Sequence, residues 1–127
     1  MNIQEIRQKI EAAVKNHLDN GGQLVTCQFG VIFSRTEKKW VFGQNRFLTS
    51  QQPICCAIGC VAVYGNPETN GSDTIYELAS KELGMAIHEV SEFTRGFDNG
   101  FPPEKNASEI EWLGYQLRQK YVAMGEL

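Results

Sequence analysis

The sequence predicts an α+β domain that is mostly helical, with about five helices around a buried central helix and one β-hairpin. Three observations support this prediction. Apolar residues recur every three or four positions over most of the chain, an alternating pattern replaces this period between Gln23 and Phe42, and Ile54–Tyr64 is an apolar run without a charge. A length of 127 residues, 42% hydrophobic and 21% charged, is typical of one globular domain, which we take as residues 1–127.

The first predicted elements are a helix over 2–19 and the hairpin. The helix has aliphatic side chains at spacings of three and four, which are Ile3, Ile6, Ile10, Val14 and Leu18. Glycines at 21 and 22 end it, and His17 in its last turn is interpreted as a packed ring that favours the helix C-terminus. Strand spacing begins at Gln23, Ser34–Lys39 is polar enough to turn the chain, and Lys39–Phe42 returns as a second strand.

The run Ile54–Tyr64 is predicted to be the central buried helix. Its length favours a helix over a strand, and Ser50 and Pro53 suit the cap and the first turn. Small residues at 57, 59 and 62 would let another element approach closely.

Three more helices are placed by residues that cap or break a helix. Thr74–Leu83 opens with a capping-box pattern and stops at Gly84. Met85–Arg95 and Ala107–Met124 each carry an apolar stripe. Between them, Gly96–Asn106 is predicted to be a loop, because its two glycines and two prolines cannot continue a helix.

Charge and hydropathy limit the classes of function. A net charge of −3 argues against a protein that binds nucleic acid mainly by electrostatics. No segment reaches the roughly 18 apolar residues of a membrane span, and the N-terminal residues lack the apolar stretch of a signal peptide, so we expect a cytoplasmic protein. Residues 1–60 carry a net +3 and residues 61–127 a net −6, which could orient two copies or a partner, or could simply form two solvated faces.

The cysteines are the first candidates for chemistry. Cys55 and Cys56 fall at the start of the predicted central helix, where the dipole and the unbonded N–H groups stabilise a thiolate. With His88 as base and Asp98 as the orienting carboxylate, they define the alternative function, a small thiol-dependent enzyme. Core packing is the preferred interpretation, because cysteine often behaves as a small buried hydrophobe.

Three further motifs are discounted. A helix-turn-helix outline over 78–97 has an acidic second helix, with Glu89 and Glu92 where phosphates would lie. A calcium loop over 98–109 would place proline where glycine is required, and a zinc site would lack its second tight pair of ligands. Basic and aromatic residues of the hairpin leave open a single-stranded nucleic-acid surface, but the same aromatics serve packing. No cofactor or metal is expected, and nucleic acid is not the expected partner.

The preferred function is a non-enzymatic binding or protein-interaction module, whose partner is another protein or a second copy. Its site is predicted in the loop Gly96–Asn106 together with the loop Gly65–Ser72, because loops carry function more often than the elements that position them. Two prolines stiffen the first loop, so that less entropy is lost on binding. The alternative is that its two aromatic rings fold back onto the core. The predicted binding residues are Phe97, Asp98, Asn99 and Phe101.

One resemblance covers residues 54–100. The residues that carry it are Cys56-Ala57-Ile58-Gly59, Ala79, Leu83-Gly84, Val90, Phe93 and Asp98-Asn99. This pattern resembles a group of small uncharacterised bacterial proteins, in which a buried C-x-x-G helix precedes an LG helix and an aromatic and an Asn-Asp pair follow. The chain departs from it by reversing the order of that pair and by placing Gly96-Phe97 before it. The resemblance implies a mostly helical cytoplasmic fold and no known activity.

Overall fold

The computed structural model describes residues 2–26, 31–34, 39–42, 54–64 and 75–127. These residues are mostly helical and contain five helices, which confirms the helical part of the prediction. The helices are α1 (Ile3–Asp19), α2 (Ala57–Tyr64), α3 (Ile75–Leu83), α4 (Ile87–Asn99) and α5 (Glu109–Ala123). The strands are β1 (Gln23–Leu24), β2 (Val31–Ser34), β3 (Lys39–Phe42) and β4 (Ile54–Cys55).

Helix α1 follows the predicted pattern closely. The Asn2 side chain accepts a hydrogen bond from the Gln4 N–H at 2.9 Å and so caps the first turn. The side chains of Ile6, Ile10 and Val14 are buried along one face, as the spacing of three and four predicts. Burial of this stripe fixes which side of α1 faces the other helices.

His17 lies in the last turn of α1 and is fully buried. Its Nε2–H donates to the Gln23 carbonyl at 2.9 Å, which ties α1 to β1. Burial lowers the pKa of His17 because it disfavours the charged ring, and the bond to Gln23 offsets this only in part. A Cβ at Gly22 would lie 2.2 Å from the ring, so the tight turn after α1 needs glycine there. The packed ring predicted from the sequence is therefore observed.

The strands form two short pairs. Strand β1 pairs with β4 in parallel, with Gln23 opposite Ile54, and β2 pairs with β3 antiparallel, from Val31 opposite Phe42 to Ser34 opposite Lys39. The predicted strand from Gln23 onward is interrupted, because β1 ends at Leu24. Residues 35–38, where the turn of the predicted hairpin falls, lie outside the described residues.

The predicted central helix begins later than the apolar run. Ile54 and Cys55 belong to β4, so α2 starts only at Ala57. The pairing partner of β4 lies about 30 residues earlier in the chain, and no local pattern reveals such a contact. Every residue from Cys56 to Ala62 is buried, so the central position of this segment is as predicted.

Helix α4 differs from the prediction at both ends. It starts at Ile87, because Met85 and Ala86 lie in the turn after α3 that Gly84 opens at φ +68°. The Ala86 N–H donates to the Glu89 carboxylate at 3.0 Å, which stabilises this start. At the other end α4 runs through Gly96 to Asn99, so the first four residues of the predicted loop are helical.

Close packing of α4 against α5 explains why α4 continues through Gly96. A Cβ at Gly96 would lie 2.0 Å from the Glu111 carbonyl oxygen, and one at Gly114 would lie 2.2 Å from the Phe93 carbonyl oxygen. Each helix therefore presents a glycine to the backbone of the other, which allows a closer approach than larger residues permit. Gly96 therefore permits the contact between the two helices and does not end α4.

One cluster of buried side chains includes members from all five helices and from β1. Its largest fully buried residues include Phe93, Phe97, Ile58 and Leu117. Within the described ranges, no helix is long and apolar enough to cross a bilayer.

Candidate binding site

Phe97 lies in the core and not in a binding loop. It is on α4, its side chain is 2% exposed, and its ring stacks on that of Phe93 with centroids 5.9 Å apart. The prediction of Phe97 as a binding residue is therefore wrong, and the packing alternative describes it correctly. The reason is the continuation of α4, which turns this residue toward the core.

The end of α4 is held by an arginine from α5. Arg118 Nη1 donates to the Phe97 carbonyl at 2.8 Å and to the Asp98 carbonyl at 3.2 Å. These are carbonyls of the last helical turn, which have no partner within the helix. Gly100 follows with φ +75°, a left-handed conformation that ends the helix. Both features fix the direction in which the chain leaves α4.

Phe101 is the exposed aromatic residue of this region. Its side chain is 77% exposed, whereas the core-packing alternative requires burial. It lies at the edge of a cleft between the C-terminal half of α4, the following loop and the start of α5, with a volume of about 400 Å³. The lining residues are Arg95, Gly96, Asn99, Phe101, Pro102, Pro103, Glu104, Asn106, Ala107 and Glu111.

The four predicted binding residues thus divide into two pairs. Asn99 and Phe101 line the cleft, whereas Phe97 and Asp98 do not. Asp98 is partly exposed near the end of α4 and contributes its carbonyl to Arg118. The second predicted loop, Gly65–Ser72, lies outside the described residues.

An ion pair joins two of the residues that line the cleft. Arg95 on α4 and Glu111 on α5 approach to 3.3 Å between Nε and Oε1. The Arg95 side chain is 58% exposed, whereas that of Glu111 is 15% exposed. The Glu111 carboxylate is therefore mostly shielded from water, whereas the Arg95 side chain is more than half exposed.

The start of α5 forms the far side of the cleft. Ser108 caps this helix by accepting from the Glu111 N–H at 3.2 Å. The predicted start at Ala107 is therefore two residues too early. Asn106 lines the cleft instead.

The base and the orienting carboxylate of the predicted thiol enzyme are not brought together. Cys55 is in β4, and Cys56 is buried at the start of α2, where its Sγ accepts from the Gly59 N–H at 3.3 Å. His88 and Asp98 lie ten residues apart on α4, which corresponds to about 15 Å along a helix. A base and its orienting carboxylate must be within hydrogen-bond reach, so this pair cannot act as predicted.

A second polar cluster joins α1 to α5. The Glu11 carboxylate accepts from Arg7 Nε at 2.7 Å and is also bonded by Lys120 Nζ. Burial alone would raise the pKa of Glu11, but the hydrogen bonds from Lys120 and Arg7 outweigh it and lower the pKa. Burial and the nearby Glu11 charge raise the pKa of Tyr121. This cluster acts as a cross-link between helices.

Arg95, Glu111 and Arg118 were missed in the sequence interpretation. The only sequence signal for the first two is their opposite charge, which does not reveal that their helices cross. Among the described residues, no group of three or more His, Cys, Asp or Glu side chains could hold a metal ion.

No protein-family model, curated protein or solved structure matches this chain. The resemblance to small bacterial proteins stays a prediction.

Proposed function

We propose that the protein is a non-catalytic protein-interaction module that binds its partner at the cleft between α4 and α5. The observation that supports this most strongly is Phe101, a large apolar side chain that is 77% exposed beside a cleft of about 400 Å³. Aromatic residues that fill a partner pocket dominate the energy of many interfaces. We also propose that the protein is an α+β domain with a β-hairpin and that it is cytoplasmic.

The energy available from Phe101 is large enough for an anchor. A phenylalanine contributes about 150–250 Å² of buried surface. Covering its exposed 77% would remove about 150 Å² from water, or about 4 kcal/mol at roughly 25 cal/mol/Å². Part of this gain is offset by the loss of motion on association. A loss of about tenfold or more in affinity is therefore expected when the ring is removed.

The loop is also presented in a defined direction. Gly100 ends α4, Arg118 bonds the last carbonyls, and Pro102-Pro103 restricts the backbone after the ring. A preorganised loop loses less conformational entropy on binding than a flexible one.

The test begins with a random peptide library selected on the immobilised protein. Affinities of the enriched peptides are then measured by fluorescence anisotropy for the wild type, Phe101→Ala and Met124→Ala. Met124 is a matched control because it is also a large exposed hydrophobic residue, 56% exposed, and does not line the cleft. The proposal predicts weaker binding only for Phe101→Ala. If no enriched peptide depends on Phe101, the proposal is wrong.

A further inference from the structure

We propose that the cleft recognises an arginine side chain of the partner, with its guanidinium between the Phe101 ring and the carboxylates of Glu104 and Glu111. This inference rests on the proposed function and adds the chemistry of the ligand. It is supported by the charge of the cleft, by its existing ion pair and by the exposed ring.

Carboxylates outnumber cations among the residues that line the cleft. Glu104 and Glu111 line it, and Glu92 lies one helical turn before Gly96 on α4. Arg95 is the only cation among the lining residues of the described chain. The C-terminal half of the sequence, residues 61–127, also carries a net −6. A cationic ligand is therefore attracted to this surface, and an anionic one is repelled.

The pair between Arg95 and Glu111 shows that a guanidinium fits at this carboxylate. Their closest approach is 3.3 Å, and the arginine is more than half exposed. Hydrogen bonds between charged N–H groups and carboxylates usually measure about 2.7–2.9 Å. The longer contact made by the exposed Arg95 is therefore weak, and Arg95 can yield its place to an incoming guanidinium. The carboxylate itself is mostly shielded and stays in position for the ligand.

The exposed ring favours arginine over lysine. A guanidinium is planar and weakly hydrated, so it stacks on an aromatic face while its N–H groups reach carboxylates. Phe101 supplies the face, and Glu104 supplies an exposed carboxylate three residues later in the same loop. An ammonium group would satisfy the carboxylates but would gain less from the ring.

The composition of the selected peptides tests the ligand class. Peptides whose binding depends on Phe101 should be enriched in arginine, more strongly than in lysine. Enrichment in aspartate or glutamate, or no enrichment in arginine, would overturn this inference and leave the proposed function standing. Dimerisation of the wild type that is lost in Phe101→Ala, measured by analytical ultracentrifugation, would place a second copy at the cleft and overturn the peptide assignment.

Three variants then test the geometry with one enriched peptide. Arg95→Ala should bind it about two- to fivefold more tightly, because the variant removes a like charge and releases Glu111. Glu104→Gln should bind about two- to fivefold more weakly. Glu109→Gln is the matched control, since this exposed carboxylate does not line the cleft, and its affinity should stay within about twofold. Weaker binding by Arg95→Ala, or equal losses for both glutamates, would overturn the inference.

Discussion

Replacement of Gly114 by alanine tests the packing on which the cleft depends. A Cβ at this position would lie 2.2 Å from the Phe93 carbonyl oxygen, whereas ordinary contacts begin at 3.4 Å. Since the blocking atom belongs to the backbone, α4 and α5 must separate by about 1.2 Å. Overpacking of this kind costs about 1–3 kcal/mol, and occasionally more. We expect a loss near the upper end, because both helices contribute buried side chains to this contact.

The assay is urea unfolding followed by circular dichroism. In an exposed helix, a substitution of glycine by alanine would stabilise the protein by about 1 kcal/mol. The sign of the change in the free energy of unfolding is therefore decisive. Gly96→Ala should also destabilise, and the double variant should lose less than the sum of the two, because one separation relieves both contacts. Gly125→Ala measures the cost of backbone strain without a steric clash, since Gly125 has φ +78° and no atom lies within 4 Å of its Cβ. A Gly114→Ala protein as stable as the wild type would refute the close approach of the two helices.

The remaining predictions concern the core, the buried histidine and the end of α4. Phe97→Ala should lose about 3–5 kcal/mol in urea unfolding, because a fully packed ring is removed; a loss below about 1 kcal/mol would contradict its burial. The pKa of His17 is lowered on folding, so the unfolded chain binds the proton more readily; stability should fall as the pH drops from 7 through the usual pKa of about 6.5. His17→Gln should remove this pH dependence of stability between pH 7 and 5, although it also weakens the bond to Gln23. An unchanged pH dependence would show that His17 is not its source. Arg118→Ala should cost about 1–3 kcal/mol and increase amide exchange near Asp98, since carbonyls of α4 lose their donor; unchanged exchange there would count against this capping role.

Local patterns predicted the elements whose determinants are local. Helix α1 has a side-chain cap at Asn2 and a regular apolar stripe, and it was placed to within one residue. Helix α3 ends at Leu83 as predicted, because Gly84 adopts the left-handed conformation that stops it. In both helices, the residues that determine the helix end lie within a few positions of that end.

The errors arise where distant residues determine the structure. The apolar run from Ile54 contains no sign that its first two residues pair with β1. Gly96 was interpreted as a helix breaker, but α4 continues through it, because α5 packs closely against it. The candidate site shows the same difference. Phe101 was recognised in a stiff loop, whereas Glu111, which lines the same cleft, becomes evident only when α5 folds back.

The free energy of unfolding and the peptide affinity of Phe101→Ala together test the central claim most directly. The account predicts a change in stability of less than about 0.5 kcal/mol, because the ring is exposed, and a loss of about tenfold or more in affinity. A loss of about 3–5 kcal/mol in stability would place the ring in the core, and an unchanged affinity would remove it from the binding site; either result would contradict the account.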